Sequence, residues 1–525
     1  MALAAFEAAI TAGDVETVTK ALDDGHDVNE RLGGGNTALT LAARNGHMDV
    51  AQLLIDRGAD IGAANMGGNT ALTLAAWDGH KDVVQLLIDR GADIEAANTD
   101  GSTALMLAAM NGHKDVVQLL IDRGADIEAA NTNGDTALML AAWNGHTDVA
   151  QLLIDRGADI GTAGTDGNTA LILAAWNGHT DVAQLLIDRG ADIEAANTDG
   201  NTALMLAAWK GHKDVAQLLI DRGADIGAAN TDGSKTLILA GWKGHTDVVQ
   251  LLIDRGADIE AANTYGSKTL ILAGWKGHRD VAQLLIDRGA DIEAANTKGD
   301  TTLILAGWKG HKDVVQLLID RGADIEAANT DGNTALMMAA WDGHTDVAQL
   351  LIDRGADIGA ANTGGSTALI LAACKGHTDV AQLLIDRGAD IGATNKGGST
   401  ALMMAAMNGH TDVAQLLIDR GADIEAANTY GCTALMAAAW KGHRDVAQLL
   451  IDRGADFKAP DATGVPWLVR ALSTGDPVHR QRTKPSMREL SAHLGAFAEG
   501  AASPSEAERW RAMKAWVEVT VDMFE

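Results

Sequence analysis

The sequence is poor in three residue types that often shape a protein's core and loops. Aromatic residues make up 3% of the 525 residues, and the chain has two cysteines and five prolines. The two cysteines, Cys374 and Cys432, are too few for a disulfide framework or a cysteine-based zinc site. With Phe and Tyr scarce, Ala, Leu and Ile supply the apolar side chains, which favours thin, closely packed helices over one large globular core.

Basic residues are also in deficit, because 41 Lys and Arg stand against 71 Asp and Glu, giving a net charge of −30. Such a surface repels nucleic acid, so nucleic-acid binding would need a local basic patch. The sequence has no run of about 18 apolar residues, so we expect no membrane insertion. The opening MALAAFEAAITAGD lacks a basic segment and includes Glu7 and Asp14. We therefore predict no signal peptide and expect a cytoplasmic or nuclear protein.

A short repeat of constant length fills most of the chain. The string GADI or GADF recurs at every 33rd residue from Gly58 to Gly454 without insertion, and GHDV at Gly25 extends the register by one repeat. Thirteen full repeats therefore run from Gly25 to Arg453. Because a fixed period of this length is typical of repeat architectures, the repeat decides the fold class.

Each repeat contains the signals for a turn and two short helices. In the repeat 322–354, Asp331-Gly332 is a turn signal, and Thr334 precedes a short helical segment, ALMMAAW. Gly343-His344 then interrupts the chain before a second helix, whose apolar residues recur at i, i+3 and i+4. Helices this short cannot bury an apolar face alone, so neighbouring repeats must stack. We therefore predict an all-α solenoid of helix-turn-helix repeats with β-hairpin loops, capped at both ends.

The repeat resembles the ankyrin repeat over about residues 1–476. The resemblance rests on the 33-residue period and on the motif G-x-T-x-L-x-x-A-A-x-x-G-H, followed by a second helix and G-A-D. One departure is that the family's T-P-L-H reads TALM here, at Thr334 to Met337. The usual Thr–His hydrogen bond is therefore absent, and we expect packing to hold the first helix instead. The resemblance implies a non-enzymatic array that binds partner proteins through a concave groove.

The ends of the array depart from the repeat. We predict a capping helix pair over 1–24, thirteen repeats over 25–453, a degenerate capping repeat over 454–476 and a helical tail over 477–525. All five prolines lie at or after Pro460, which marks the boundary by composition.

The predicted tail has its own character. It carries the basic segment HRQRTKPSMR, and helices are predicted at about 485–498 and 505–523. Three interpretations stay open: the helices fold back over the end of the array, one of them docks onto a partner, or the segment is disordered.

No set of residues stands apart from the repeat in a way that indicates catalysis. Every full repeat has a histidine after the same glycine, from His47 to His443. Copies one helix layer apart, about 10 Å, are too distant to share a metal ion. We interpret these histidines as loop hydrogen-bond partners and the Asp-Arg pair of LLIDRG as a solvated helix end. With no glycine-rich phosphate loop and no Ser/His/Asp or Cys/His set, we expect no enzyme activity and no cofactor.

Nine of the twelve tryptophans occupy one slot at the end of the first helix, where other repeats have Arg44, Met110, Cys374 or Met407. A slot that accepts Arg as well as Trp is not typical of a tight core. Three further positions also vary: the residue after the slot, the hairpin-tip residue before its glycine, such as Asp331, and the residue after that glycine, such as Asn333. We expect these positions and the slot to form one exposed strip. The strip would be an aromatic platform for a partner. The alternative is that neighbouring indoles pack together and only seal the groove.

Lysines join the tryptophans in the middle of the array. Four successive repeats have Lys after Trp, and Lys235, Lys268 and Lys298 lie near the hairpins of the middle repeats. We call this set the Trp/Lys track and predict that it docks an acidic or phosphorylated peptide. The alternative is recent duplication, since residues 234–245 and 267–278 share SKTLILAGWKGH. The predicted partner-binding residues are Trp77, Trp143, Trp176, Trp209, Lys210, Lys235, Trp242, Lys243, Trp275, Lys276, Trp308, Lys309, Trp341 and Trp440.

These observations favour a non-enzymatic scaffold that binds partner proteins through its concave groove. A second hypothesis is an adaptor whose repeats select a target while the tail, 477–525, recruits an enzyme or complex. A third is nucleic-acid binding by the Trp/Lys track, which the net charge opposes. Catalysis by the tail is a fourth, and no residue set there supports it.

Overall fold

The computed structural model describes residues 3–456 and, beyond them, residues 495, 496, 499, 511 and 514. The chain divides into two compact bodies, Met1–Thr264 and Tyr265–Glu525, called here the N-terminal and C-terminal bodies. Over residues 3–456 the chain forms 28 α-helices and one short 3₁₀ turn, Gly33–Gly35, and no β-strand. The hairpin loops carry isolated antiparallel bridges, such as the one between Ala163 and Thr169.

The N-terminal body begins with α1 (Leu3–Ala12) and α2 (Val15–Asp23). The first helices of its repeats are α3 (Ala38–Arg44), α5 (Ala71–Trp77), α7 (Ala104–Met110), α9 (Ala137–Asn144), α11 (Ala170–Asn177), α13 (Ala203–Lys210) and α15 (Thr236–Lys243). The second helices are α4 (Met48–Asp56), α6 (Lys81–Asp89), α8 (Lys114–Asp122), α10 (Thr147–Asp155), α12 (Thr180–Asp188), α14 (Lys213–Asp221) and α16 (Thr246–Asp254).

The C-terminal body continues the same alternation. Its first helices are α17 (Thr269–Lys276), α19 (Thr302–Lys309), α21 (Ala335–Asp342), α23 (Ala368–Lys375), α25 (Ala401–Asn408) and α27 (Ala434–Lys441). Its second helices are α18 (Arg279–Asp287), α20 (Lys312–Asp320), α22 (Thr345–Asp353), α24 (Thr378–Asp386), α26 (Thr411–Asp419) and α28 (Arg444–Asp452). The predicted all-α repeat fold is confirmed.

Most first helices begin at a threonine cap and end at a left-handed glycine. Thr136 is the N-cap of α9, and its hydroxyl accepts a hydrogen bond from the backbone N–H of Met139 (3.4 Å). The helix ends at Gly145, whose φ of 78° lies in the left-handed region that favours glycine. The first turn is also packed, because Ala137, Leu138 and Met139 are buried. Packing holds this helix start as expected, and the threonine cap, which was not expected, adds a hydrogen bond without the family's histidine.

Small and branched apolar residues form the core of each layer. In α9 and α10, Ala141, Ala142, Val149 and Leu153 are completely buried. The paired alanines let the first helices of neighbouring repeats approach closely, and Val and Leu on the second helix fill the space behind them. This packing explains how a core with few aromatic residues can still exclude water.

The repeated histidine joins each repeat to the one before it. His80 donates from Nε2 to the carbonyl oxygen of Arg44 (2.9 Å), and the same bond joins His212 to the carbonyl oxygen of Trp176 (3.0 Å). The ring also lies against the glycine of the preceding repeat, since a Cβ on Gly46 would be 2.6 Å from Nδ1 of His80. The interpretation of these histidines as loop hydrogen-bond partners is confirmed.

A second set of inter-repeat contacts follows the ends of the second helices. Arg123 pairs with Asp89 of the preceding repeat (2.8 Å), and Gln85 donates to the same carboxylate (2.7 Å). The hydrogen bond from Gln85, together with Arg123, holds the pKa of Asp89 below its ordinary value. The Asp-Arg pairs remain exposed, as expected, but they also bridge neighbouring repeats.

Three middle repeats depart from the common pattern. Lys235 takes the N-cap position of α15 and makes no side-chain cap hydrogen bond. Thr302 replaces the usual alanine at the start of α19, and its buried hydroxyl has no hydrogen-bond partner. Gly274 of α17 faces this threonine, and a Cβ at position 274 would overlap its Cγ2 methyl group. Glycine and threonine are therefore a matched pair across two helix layers.

The predicted domain boundaries stay predictions. Nearly all of the degenerate capping repeat and the tail, including the helices expected at about 485–498 and 505–523, lie outside the described residues. The adaptor hypothesis gives the tail a recruitment role, and the residues on which that role depends are also outside the described part of the chain. Among the helices that the structure describes, none is long and apolar enough to cross a membrane.

Candidate partner-binding surface

The tryptophan slot lies in the last turn of the first helix and is not a core position. Trp77, Trp143 and Trp440 are exposed to 41%, 43% and 39%. The other six members are half-buried: Trp176, Trp209, Trp242, Trp275, Trp308 and Trp341. The expectation that this slot is not tight core is confirmed, and the indoles form an amphipathic row along the first helices of each body.

In the N-terminal body, lysines stack over indoles of the preceding repeat. Nζ of Lys210 is 4.2 Å from the ring centroid of Trp176, and Nζ of Lys243 is 4.1 Å from that of Trp209. These distances are typical of a cation–π interaction, in which the ammonium group is attracted to the negative face of the ring. Both lysine side chains remain exposed, so the ammonium groups stay in contact with water.

The lysines of the C-terminal body have more varied contacts. Nζ of Lys309 lies 4.4 Å from the ring of Trp308 and 3.7 Å from a carboxylate oxygen of Asp342, so its charge is partly balanced. Nζ of Lys276 lies 5.9 Å from the ring of Trp275 in the same repeat. The positive character of the Trp/Lys track is therefore not uniform.

One further lysine of this kind, Lys375, was not predicted from the repeat pattern. Nζ of Lys375 lies 4.0 Å from the ring of Trp341. It was overlooked because the slot of its own repeat holds Cys374 rather than Trp. The available signal was a spacing of one repeat plus one position, which also separates Lys210 from Trp176. Lys210, Lys243 and Lys375 therefore lie over the tryptophan of the preceding repeat, whereas Lys309 lies over Trp308 of its own repeat.

Two tryptophans have asparagine instead of lysine at this spacing. Asn111 follows Trp77 by one repeat plus one position, and Asn177 follows Trp143 in the same way. The amide of Asn111 donates to a carbonyl oxygen of its own helix, four residues earlier (2.9 Å), and Asn177 does the same (3.1 Å). The asparagine side chains are therefore held on their own helices, which agrees with the greater exposure of these two indoles.

The exposed strip is narrower than the sequence indicated. The residue after the tip glycine was expected to be exposed, but in Ser102, Ser234, Ser267 and Asp300 it is buried, with 7% exposure. The reason is that this position faces the next repeat: Asn329 donates to the carboxylate of Asp300 (2.8 Å). The strip therefore consists of the tryptophan slot, the residue after it and the hairpin tip.

The hairpin tips are the most exposed part of the surface. Tyr265 and Tyr430 are exposed to 64% and 78%, and Lys298 is also exposed. Lys235 is less exposed than these tip residues, because its side chain is half-buried. It lies at the N-cap of α15, at the opposite end of that helix from Trp242. Lys235 is thus set apart from the row that Lys210 and Lys243 share with the indoles.

Comparison with known protein families identifies the repeat. A family model described as ankyrin repeats (3 copies) matches residues 6–98, 94–164, 160–230, 223–296, 303–395 and 369–461. This chain belongs to the ankyrin-repeat family. A search of curated proteins found no significant match. Ankyrin repeats indicate a protein–protein interaction scaffold and are typically non-enzymatic.

Over the described part of the chain, no group of three or more His, Cys, Asp or Glu side chains could hold a metal ion. Burial raises the pKa of the Cys374 thiol, and it raises the pKa of Cys432 to about 11. Both thiols are therefore poor nucleophiles near neutral pH, since the thiolate is the reactive form.

Proposed function

We propose that this ankyrin array is a non-enzymatic scaffold that binds partner proteins through its concave groove. Within the groove, the part of the Trp/Lys track formed by Trp176, Trp209, Lys210 and Lys243 docks an acidic or phosphorylated segment of the partner. The observation that carries the proposal is the stacking of Lys210 on Trp176 and of Lys243 on Trp209, at 4.2 and 4.1 Å. The indoles supply contact area and the ammonium groups supply charge.

The stacking supports the proposal because it orders the lysines before a ligand arrives. A free lysine side chain loses up to about 2 kcal/mol of conformational entropy when it is fixed. A lysine already held over an indole has lost part of that freedom, so binding an anion costs less. The exposed part of each ammonium group can still donate to a carboxylate or phosphate oxygen.

Local charge also favours this part of the groove. Residues 201–250 contain five basic and five acidic residues, whereas residues 151–200 contain two basic and eight acidic. The segment with Lys210 and Lys243 is therefore the point where the negative charge of the N-terminal body is locally balanced. An acidic partner meets less repulsion there than elsewhere on this body.

The proposal is tested by fluorescence polarisation of a labelled phosphoserine peptide and its unphosphorylated form with the full-length chain. We expect Lys243→Gln to weaken phosphopeptide binding by about tenfold, the effect of losing one charge-assisted contact. Lys213→Gln is the matched control, because Lys213 is exposed in the neighbouring repeat but begins α14 instead of following a tryptophan.

Ionic strength gives an independent measure of the same contact. Raising the salt from about 0.05 to 0.5 M should weaken the wild-type complex strongly, because exposed charge pairs are screened. Binding that ignores salt, or equal losses in the Lys243 and Lys213 variants, would rule out a lysine-dominated site.

A further inference from the structure

Trp77 and Trp143 differ from the other tryptophans of the N-terminal body in what lies over the ring. Trp176 and Trp209 are each covered by the lysine found one repeat plus one position later. At Trp77 and Trp143 that residue is asparagine, whose amide bonds to its own helix. Among the residues described in this body, no lysine or arginine lies over either of these two indoles.

The repeats around Trp143 and Trp176 are close copies, which makes the comparison direct. Both first helices read AL, then Met or Ile, then LAAWN, and both end at a glycine with φ of 78°. Lys210 occupies the cation position over Trp176. An indole in the same place on a matching helix offers the same negative ring face, so the cation position over Trp143 is formed without an internal cation to fill it.

The charge around these two indoles is strongly negative. Residues 58–177 contain 16 acidic and five basic residues. Of the five basic residues, Arg90, Arg123 and Arg156 are paired with aspartates of the preceding repeat. The surface therefore attracts positive charge from outside the chain, and the attraction is opposite in sign to that proposed for Lys210 and Lys243.

We propose that Trp77 and Trp143 bind arginine or lysine side chains of an extended, basic segment in a partner protein. The two slots are two repeats apart, about 20 Å at a layer spacing of 8–10 Å. An extended chain advances about 3.3 Å per residue, so the two cationic side chains lie about six residues apart. The inference rests on the groove of the proposed function, but it concerns other residues and a ligand of the opposite charge.

The test uses the full-length chain and a fluorescein-labelled Gly/Ser peptide with two arginines six residues apart. A peptide with glutamine at both positions is the uncharged control. We expect the arginine peptide to bind with salt-sensitive affinity and the glutamine peptide to bind at least about tenfold more weakly, since a cation–π contact requires the positive charge.

Asn177→Lys is the decisive variant, because it places a lysine where it can stack on Trp143 as Lys210 stacks on Trp176. We expect it to weaken the arginine peptide by about tenfold. The variant copies an arrangement already present in the next repeat, so it should keep the fold, which circular dichroism checks. Asn45→Lys is the matched control: it makes the same charge change, but the residue at the corresponding earlier position is Thr11 instead of a tryptophan.

Equal arginine-peptide affinity in the Asn177 and Asn45 variants would overturn the proposal, as would equal binding of the glutamine peptide. A peptide with the sequence of this chain's own basic segment, residues 479–488, is measured as well. If it binds more tightly than the arginine peptide, the occupant of the site is a second copy of this chain, and the proposed partner protein is ruled out. Lys243→Gln should leave arginine-peptide binding within about twofold of wild type. Failure of this site and failure of the phosphopeptide site are therefore distinguishable.

Discussion

The contact between Gly274 and Thr302 allows a prediction in which one substitution changes sign. Gly274 lies inside α17 and Thr302 begins α19, in neighbouring repeats of the C-terminal body. A Cβ at position 274 would overlap Cγ2 of Thr302 and lie 3.5 Å from its Cβ. Because threonine is branched at Cβ, its methyl group cannot swing away without changing a restricted rotamer.

The magnitude follows from two opposing effects of Gly274→Ala. Overpacking a core contact costs about 1–3 kcal/mol. Replacing glycine by alanine inside a helix returns about 1 kcal/mol. We therefore expect Gly274→Ala to lower the free energy of unfolding by about 0–2 kcal/mol while Thr302 is present.

The second substitution should reverse that sign. Thr302→Ala removes the overlapping methyl group and a buried hydroxyl that has no hydrogen-bond partner. In the Thr302→Ala background, Gly274→Ala should therefore raise the free energy of unfolding by about 1 kcal/mol, the helix-propensity term alone. The coupling energy between the two sites is then about 1–3 kcal/mol.

The assay is urea unfolding followed by circular dichroism on the four proteins of this double-mutant cycle. Amide hydrogen exchange in α17 and α19 reports the same effect locally, because a repeat array need not unfold in a single step. Gly307→Ala is the comparison variant: its added Cβ would lie 3.0 Å from the carbonyl oxygen of Ala335, a tight contact without an overlapping methyl group, so it should destabilise less than Gly274→Ala. Additive effects of the two substitutions would show that the overlap is relieved elsewhere and refute the reasoning.

Two further predictions concern titrating groups. The aspartates that pair with Arg of the next repeat, such as Asp89, have a lowered pKa, so the folded state holds their protons less tightly than the unfolded state. Their stabilising effect is present above the ordinary pKa of 3.8 and is lost as the pH falls through the pKa of the folded state. The urea concentration at the unfolding midpoint should therefore decrease when the pH is lowered below about 4. Cys432, with its pKa raised to about 11, should react with iodoacetamide at pH 8 on the order of 100-fold more slowly than a free cysteine, and urea should remove the difference. A midpoint independent of acid, or fast alkylation of the folded chain, would contradict these statements.

Much of the repeat could be predicted because each local signal recurs in every copy. Turn residues, helix lengths and the glycine before each histidine indicate the same helix-loop-helix arrangement thirteen times. The threonine caps could not be predicted from the family motif, because that motif pairs threonine with a histidine that this chain lacks. The hydroxyl instead bonds to a backbone N–H three residues on, as at Thr136.

The candidate site was predicted less completely than the fold. The tryptophan slot was identified from its variability, since a position that accepts both Trp77 and Arg44 is not a core position. The position after the tip glycine, which is buried or half-buried, was wrongly assigned to the surface on the same grounds. Its variability has another cause, because both Asn and Asp can accept a bond from the asparagine of the next repeat, as Asn69 does from Asn98 and Asp300 does from Asn329.

The sequence by itself determined the period, the two helices of each repeat, the small-residue core and the place of the tryptophans. Only the tertiary structure decided which side chains meet across the layers. An alignment of the repeats pairs each residue with the equivalent position of the next repeat. In the stacked array, Lys210 instead lies over Trp176, one position beyond that alignment, because its side chain extends toward the preceding repeat. That offset covers Trp176 with a lysine and leaves Trp143 without one, although the two tryptophans occupy equivalent positions in the sequence.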